Sequence, residues 1–217
     1  MKKSAADVGS RRDKERQARR AGIIEAAERI FRRKGFARAS MDEVAAEAQF
    51  TKRTVYMYFV DKEDLLFAVA LEGSKRLFAR QQAILAGEGT GLAKVRRAAQ
   101  AYYEFSRDMP DLFRLIEDAR RLKPRQKDSP GRAAFIRFRS DMFAAYGQAL
   151  RAGIADGSIR SDIDPQLLIY AFVLVLTGFF QALSEAASTG TFAPYPGKFA
   201  GLTLDLVTDA LRPREGG

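Results

Sequence analysis

The chain has 217 residues, 47% of them hydrophobic, a formal net charge of +10, and neither Cys nor His. That apolar share is enough to bury a core, which excludes disorder as the overall state. The two missing residue types exclude a disulfide scaffold, a thiolate zinc site, a catalytic cysteine and any His-based triad.

Residues 1–17 read as a flexible basic arm. They contain no apolar run of the signal-peptide kind, so a cytoplasmic protein is expected. From Ala18 onward, Ile23, Ala27, Ile30 and Phe31 follow helical spacing, and Gly35 supplies a C-terminal stop. Ser40-Met41-Asp42-Glu43 then has the form of a capping box: the Ser40 hydroxyl accepts from the Glu43 amide, and the Glu43 carboxylate accepts from the Ser40 amide. The short helix that follows turns Val44, Ala45 and Ala48 inward. Thr51 caps a third helix, in which Val55 and Phe59 face inward four residues apart.

Residues 1–62 carry 16 Lys+Arg against 9 Asp+Glu, whereas the other 155 residues carry 21 against 18. Basic charge gathered on one small module suits a polyphosphate partner, because each neutralised phosphate releases counterions. A solubilising surface is the alternative reading. The third helix begins Thr51-Lys52-Arg53-Thr54 and continues Tyr56-Met57-Tyr58, so its basic, polar start is the end that enters a major groove. Arg53 or Lys52 can pair with guanine O6 and N7. Tyr56 and Tyr58 can donate to phosphates, and Lys62 can anchor the backbone. The Ser40–Met41 end of the second helix offers amides to a further phosphate. Met57 and Tyr58 have packing as an alternative role; Lys2 to Arg20 can add minor-groove or backbone contact, with a solvated tail as the alternative.

Asp61 caps a long fourth helix, with Glu63 and Asp64 in its first turn and a stripe of Leu65, Leu66, Val69, Leu77 and Phe78. Gly87-Glu88-Gly89-Thr90-Gly91 breaks the chain. Leu92, Val95, Ala99, Tyr102 and Ser106 share a face of the next helix. Pro110 opens another, carrying Leu112, Phe113, Leu115, Ile116 and Ala119. After a charged loop at 122–131 comes a long helix with Phe135, Phe138, Met142, Tyr146 and Ala149 on one side, stopped by Gly157.

Asp164-Pro165 begins a helix without formal charge to Ser184. Its densest apolar run, Leu167–Phe180, rises only about 21 Å, short of a hydrocarbon core of about 30 Å. A buried helix in a soluble protein is therefore expected, with no membrane partner. A loop at 188–197 precedes a last helix marked by Leu202, Leu206, Ala210 and Leu211. No run alternates with the period of a strand, so the fold is expected to be all-α, with about nine helices.

The stretch over residues 18–66, with RRKGF, ASMDEVAAEA and TKRTVYMYFVDKEDLL, resembles the tetracycline-repressor (TetR) family of transcriptional regulators. DMPDLFRLIEDARR and GSIRSDIDP resemble further phrases of that family. The resemblance implies a helix-turn-helix DNA-binding domain over residues 18–62 and an effector-binding and dimerisation domain over 63–217. It implies the same DNA-contacting positions and no catalytic, metal or cofactor site. It also implies a dimer built by the last two helices, about 165–187 and 197–212, which would use Leu168, Phe172, Val175, Phe179, Leu202 and Leu206.

The expected function is a homodimeric repressor on a palindromic double-stranded DNA operator, released by a small hydrophobic or aromatic effector; an activator, or a regulator without an effector, is the alternative. Tyr102, Phe105, Phe113, Phe138, Met142, Tyr146 and Tyr170 are the candidate lining of the effector pocket. The chain departs from the family pattern in two places. Gln49 stands where the helix–helix turn usually has Gly, so either Phe50 packing offsets a left-handed backbone or the turn is shaped differently. Met57 replaces a commoner polar or aromatic group.

Overall fold

The computed structural model describes residues 5–123, 128–189 and 196–214, and within them every regular element is a helix. They are α1 (Ala5–Lys34), α2 (Met41–Glu47), α3 (Lys52–Tyr56), α4 (Lys62–Ala86), α5 (Gly91–Asp108), α6 (Pro110–Arg121), α7 (Pro130–Ala155), α8 (Pro165–Thr189) and α9 (Pro196–Asp209). The all-α expectation holds. One correction comes at the start: helix, not arm, begins at Ala5, and only residues 1–4 of the expected arm lie outside the described residues. The misreading has a cause. Residues 11–19 are exposed on every side, so they carry no apolar period, and local pairs such as Arg11–Glu15 support the helix.

The helices pack as two compact units, Met1–Gly73 with Arg114–Ile136, and Ser74–Phe113 with Arg137–Gly217. The first unit runs past the expected division at residue 62, because the opening turns of α4 bury Leu65, Leu66, Phe67 and Val69. Its interior is closed by Ile23, Ala27, Ile30 and Phe31 of α1 with Val44, Val55 and Phe59. Asp64, also buried, accepts from the amides of Val60 at 3.3 Å and Gly131 at 2.7 Å. A side chain at position 131 would bring its Cβ to 2.5 Å from the Asp64 carbonyl oxygen, so only glycine lets the start of α7 sit there.

In the second unit α5, α8 and α9 pack pairwise around Val95, Ala98, Phe105, Ile169, Phe172 and Leu204. The turn after α7 caps α5: Asp156 accepts from Gly91 N at 2.7 Å and Ser158 Oγ from Leu92 N at 3.1 Å. The Ser158 side chain first, and then the amides of Gly91 and Ser158, hold the Asp156 carboxyl below its usual range. Over Pro165–Leu183, α8 is long and apolar enough, by length and composition, to cross a membrane, and 29% of that span is buried. The expectation of a buried helix is therefore corrected, since one face of α8 stays open in a single chain.

Candidate nucleic-acid interface

The two short helices are set by local chemistry. Ser40 Oγ accepts from Glu43 N at 3.3 Å, and the Glu43 carboxylate accepts from Ser40 N at 3.0 Å, completing the expected capping box. Lys34, then the Ser40 amide, hold the Glu43 carboxyl below its ordinary pKa. Thr51 Oγ1 accepts from Thr54 N at 3.1 Å and starts α3. Between the helices, Gln49 adopts φ +57°. The Phe50 amide donates to Ala45 O at 2.9 Å and the Gln49 amide to Ala46 O at 3.1 Å, the paired bonds of a Schellman ending. The turn thus keeps a left-handed shape although its residue is not glycine.

On this frame Val55 and Phe59 are buried while Thr51, Lys52, Arg53, Tyr56 and Met57 project outward, with Thr54 and Tyr58 half-buried. Met57 is 73% exposed, so it does not serve the core. Lys52 pairs with Asp42 at 2.8 Å, which raises its pKa and keeps its ammonium at the α2–α3 face. Two expected contacts are placed differently. Met41 is buried at 6% exposure, because the first residue of α2 faces the core. Lys62 directs its ammonium back into the fold, donating to the carbonyls of Phe36 at 2.9 Å, Ala37 at 3.2 Å and Ala39 at 2.9 Å. It also lies 4.6 Å from the Phe36 ring centre. An ammonium has three protons, and all three are engaged.

In the second unit Phe105, Phe113 and Tyr146 are buried, while Tyr102, Phe138 and Met142 are half-buried. Tyr102 meets Phe113 edge-on with centroids 5.4 Å apart, and Phe78 meets Phe138 at 5.9 Å. Tyr170 departs from the expected lining: it is 57% exposed, with its ring 6.2 Å from Phe143. The sequence reading missed Gln81. This fully buried residue donates to Ala98 O at 3.1 Å, yet its Oε1 has no hydrogen-bond partner. Burial drives the pKa of the Tyr146 hydroxyl up, and Gln81 opposes the rise. A lone glutamine in a helix carries no sequence signal of such a role.

Of the expected interface residues, Val175, Leu202 and Leu206 are exposed and Phe179 half-buried, but Leu168 and Phe172 point into the unit's own core. The open face instead adds Leu167, Tyr170 and Leu174. A helix apolar all round gives no phase from which to choose its outer face.

Residues 23–69 match the family described as bacterial regulatory proteins, tetR family. An uncharacterized HTH-type transcriptional regulator of Mycobacterium tuberculosis, Rv0472c, is 35% identical over 36% of this chain. That match spans about a third of the relative, 33% of its length. The HTH-type transcriptional repressor AcnR of Corynebacterium glutamicum is 25% identical over 89% of this chain and 92% of its own. Among solved structures, the regulator FadR of Bacillus subtilis in complex with stearoyl-CoA has a TM-score of 0.67 at 18% identity, covering 88% of this chain and 99% of that one. At that identity the likeness is one of fold.

Proposed function

The chain belongs to the TetR family of bacterial regulatory proteins, which are DNA-binding regulators and not enzymes, and on that premise we propose that it acts as a dimeric transcriptional repressor. The observation that carries the reading is the outward face of α3, where Lys52, Arg53 and Tyr56 project from a base of buried Val55 and Phe59. Arg53, the outward guanidinium, reads guanine, and Lys52 exchanges Asp42 for a phosphate or base. Thr51, Thr54, Tyr56 and Tyr58 contribute hydroxyls to phosphates, and Met57 offers apolar contact to a thymine methyl. Ser40 stands beside the backbone at the start of α2.

Selection of bound duplexes from a random pool tests this. A palindrome with two half-sites is expected, and Arg53→Ala should relax one base position at about 1–3 kcal/mol. If Arg53→Ala weakened all duplexes alike, its role as base reader would be wrong.

The open apolar faces of α8 and α9 support a second copy of this chain as their cover, since Leu167, Leu174, Leu202 and Leu206 are all exposed on two helices that pack together. Two half-sites one helical turn apart require such a partner. A hydrophobic effector in the second unit completes the reading, held among Phe105, Phe113, Phe138, Met142 and Tyr146. The unpartnered acceptor of Gln81 favours an effector with a hydrogen-bond donor. Stearoyl-CoA, the ligand of the fold neighbour, is the first probe. Linkage requires that operator DNA and effector weaken each other equally. Calorimetric titration showing the same effector affinity with and without operator would exclude the switch.

A further inference from the structure

α1 is 30 residues long, yet from residue 11 onward its buried residues begin only at Ile23. Residues 11–19 are exposed throughout, so these turns serve no core. They nonetheless continue the helix, and Arg12, Arg16 and Arg19 recur at i, i+4 and i+7, which puts three guanidiniums on one stripe. That stripe borders a groove completed by Glu15, Met57 and Tyr58, the last two at the exit of α3. The next residue, Arg20, lies over the Phe59 ring at 5.1 Å and ties this part of α1 to the residues after α3. Glu15 is the one carboxylate in the groove, and it is engaged by Arg11 at 3.2 Å. Among the described residues, Arg12, Arg16 and Arg19 have no ion-pair partner.

We infer that the N-terminal half of α1 is a second DNA-contacting element, which lays Arg12, Arg16 and Arg19 along the phosphate backbone beside the bases read by α3. The inference rests on the proposed DNA-binding role and extends it beyond the two short helices. From Arg12 to Arg19 the helix advances about 10 Å, on the order of three phosphates of one strand. Arg12, Arg16 and Arg19 share one groove with Met57 and Tyr58 at the exit of α3, so a duplex seated on α3 has the stripe beside it. Guanidiniums that no ion pair holds in place, with the one carboxylate of the groove engaged by Arg11, suit phosphates, which give affinity and register without sequence information.

The test compares the full chain with the triple variant Arg12→Gln, Arg16→Gln, Arg19→Gln, which keeps side-chain length and helix propensity. Binding to a selected operator and to a duplex of arbitrary sequence is titrated over a range of salt. The logarithm of the binding constant should fall less steeply with the logarithm of salt, by about two to three per protomer. Affinity should drop by the same factor on both duplexes, and the selected sequence should not change. Circular dichroism confirms that the helix remains. As a control, Arg11→Gln with Lys14→Gln removes charge from outside the stripe and should move the slope by clearly less.

An unchanged slope in the triple variant, while Arg53→Ala still relaxes a base position, overturns this inference and leaves the proposed function standing. An equal effect of the control variant also overturns it, in favour of diffuse charge. If the unaltered chain binds neither duplex, both readings fall together.

Discussion

The three-helix module and the α8–α9 pair are both rich in apolar helix, yet they close their surfaces in different ways. In the module, Val44 and Val55 are fully buried and Phe59 is 1% exposed, so side chains from one chain complete the core. On α8, Leu174 remains 73% exposed, and Leu202 and Leu206 of α9 are likewise left open. A module that closes upon itself fixes the shape of what it presents outward. A face left open instead assigns part of its stability to whatever covers it.

The contrast predicts that equal deletions act differently in the two places. Phe59→Ala should cost about 3–5 kcal/mol in denaturant unfolding, because it empties a closed core. Leu174→Ala should cost less than about 0.5 kcal/mol under conditions that keep the chain monomeric. Leu206→Glu should leave the monomer folded but shift sedimentation from dimer to monomer. A dimer indifferent to Leu206→Glu would break the comparison, since the open face would then need another cover.

Lys62 sharpens the module's side of it. Lys62→Met keeps the alkyl stem beside Phe36 but removes the donors to Phe36, Ala37 and Ala39. Two of these bonds are part-buried, so a loss of about 1–3 kcal/mol in thermal unfolding is expected. As a backbone anchor, the same residue would lower the salt slope of DNA binding by about 1 and leave stability alone. Measuring both quantities on one variant separates the two roles.

What was legible in the sequence follows the range of the interactions involved. Ser40, Glu43 and Thr51 cap their helices through bonds spanning three residues, and Gly35 and Gly157 take positive φ at helix ends, as residue type and spacing foretold. Residues whose role depends on a distant element were misplaced. Lys62 meets carbonyls more than twenty positions away, Met41 turns into a core, and Leu168 and Phe172 take the inner side of a helix that is apolar all round. Gln81 of α4 reaches the Ala98 carbonyl of α5 and influences Tyr146 of α7, so its role leaves no local trace. Residues 11–17 failed for the opposite reason: they are exposed on every side and so show no period.

Gln49 gives the smallest expected effect and the finest probe of the module's closure. Its φ of +57° places a residue with a side chain in the left-handed region, a cost of about 1–2 kcal/mol. The turn accepts that cost because the amides of Gln49 and Phe50 both find carbonyls of α2, and a helix ending without them would leave two carbonyls unpaired. Gln49→Gly should relieve the backbone, while the extra freedom of glycine in the unfolded chain takes back about 0.5–1 kcal/mol. The net expectation is a stabilisation of about 0.5–1 kcal/mol, or roughly 2 °C in Tm for a chain of this size. Operator affinity should not change, since the turn already has the shape glycine would give it. A lower Tm would mean that the Gln49 side chain contributes more than its backbone costs, and a changed operator affinity would mean that strain at this turn sets the angle between α2 and α3.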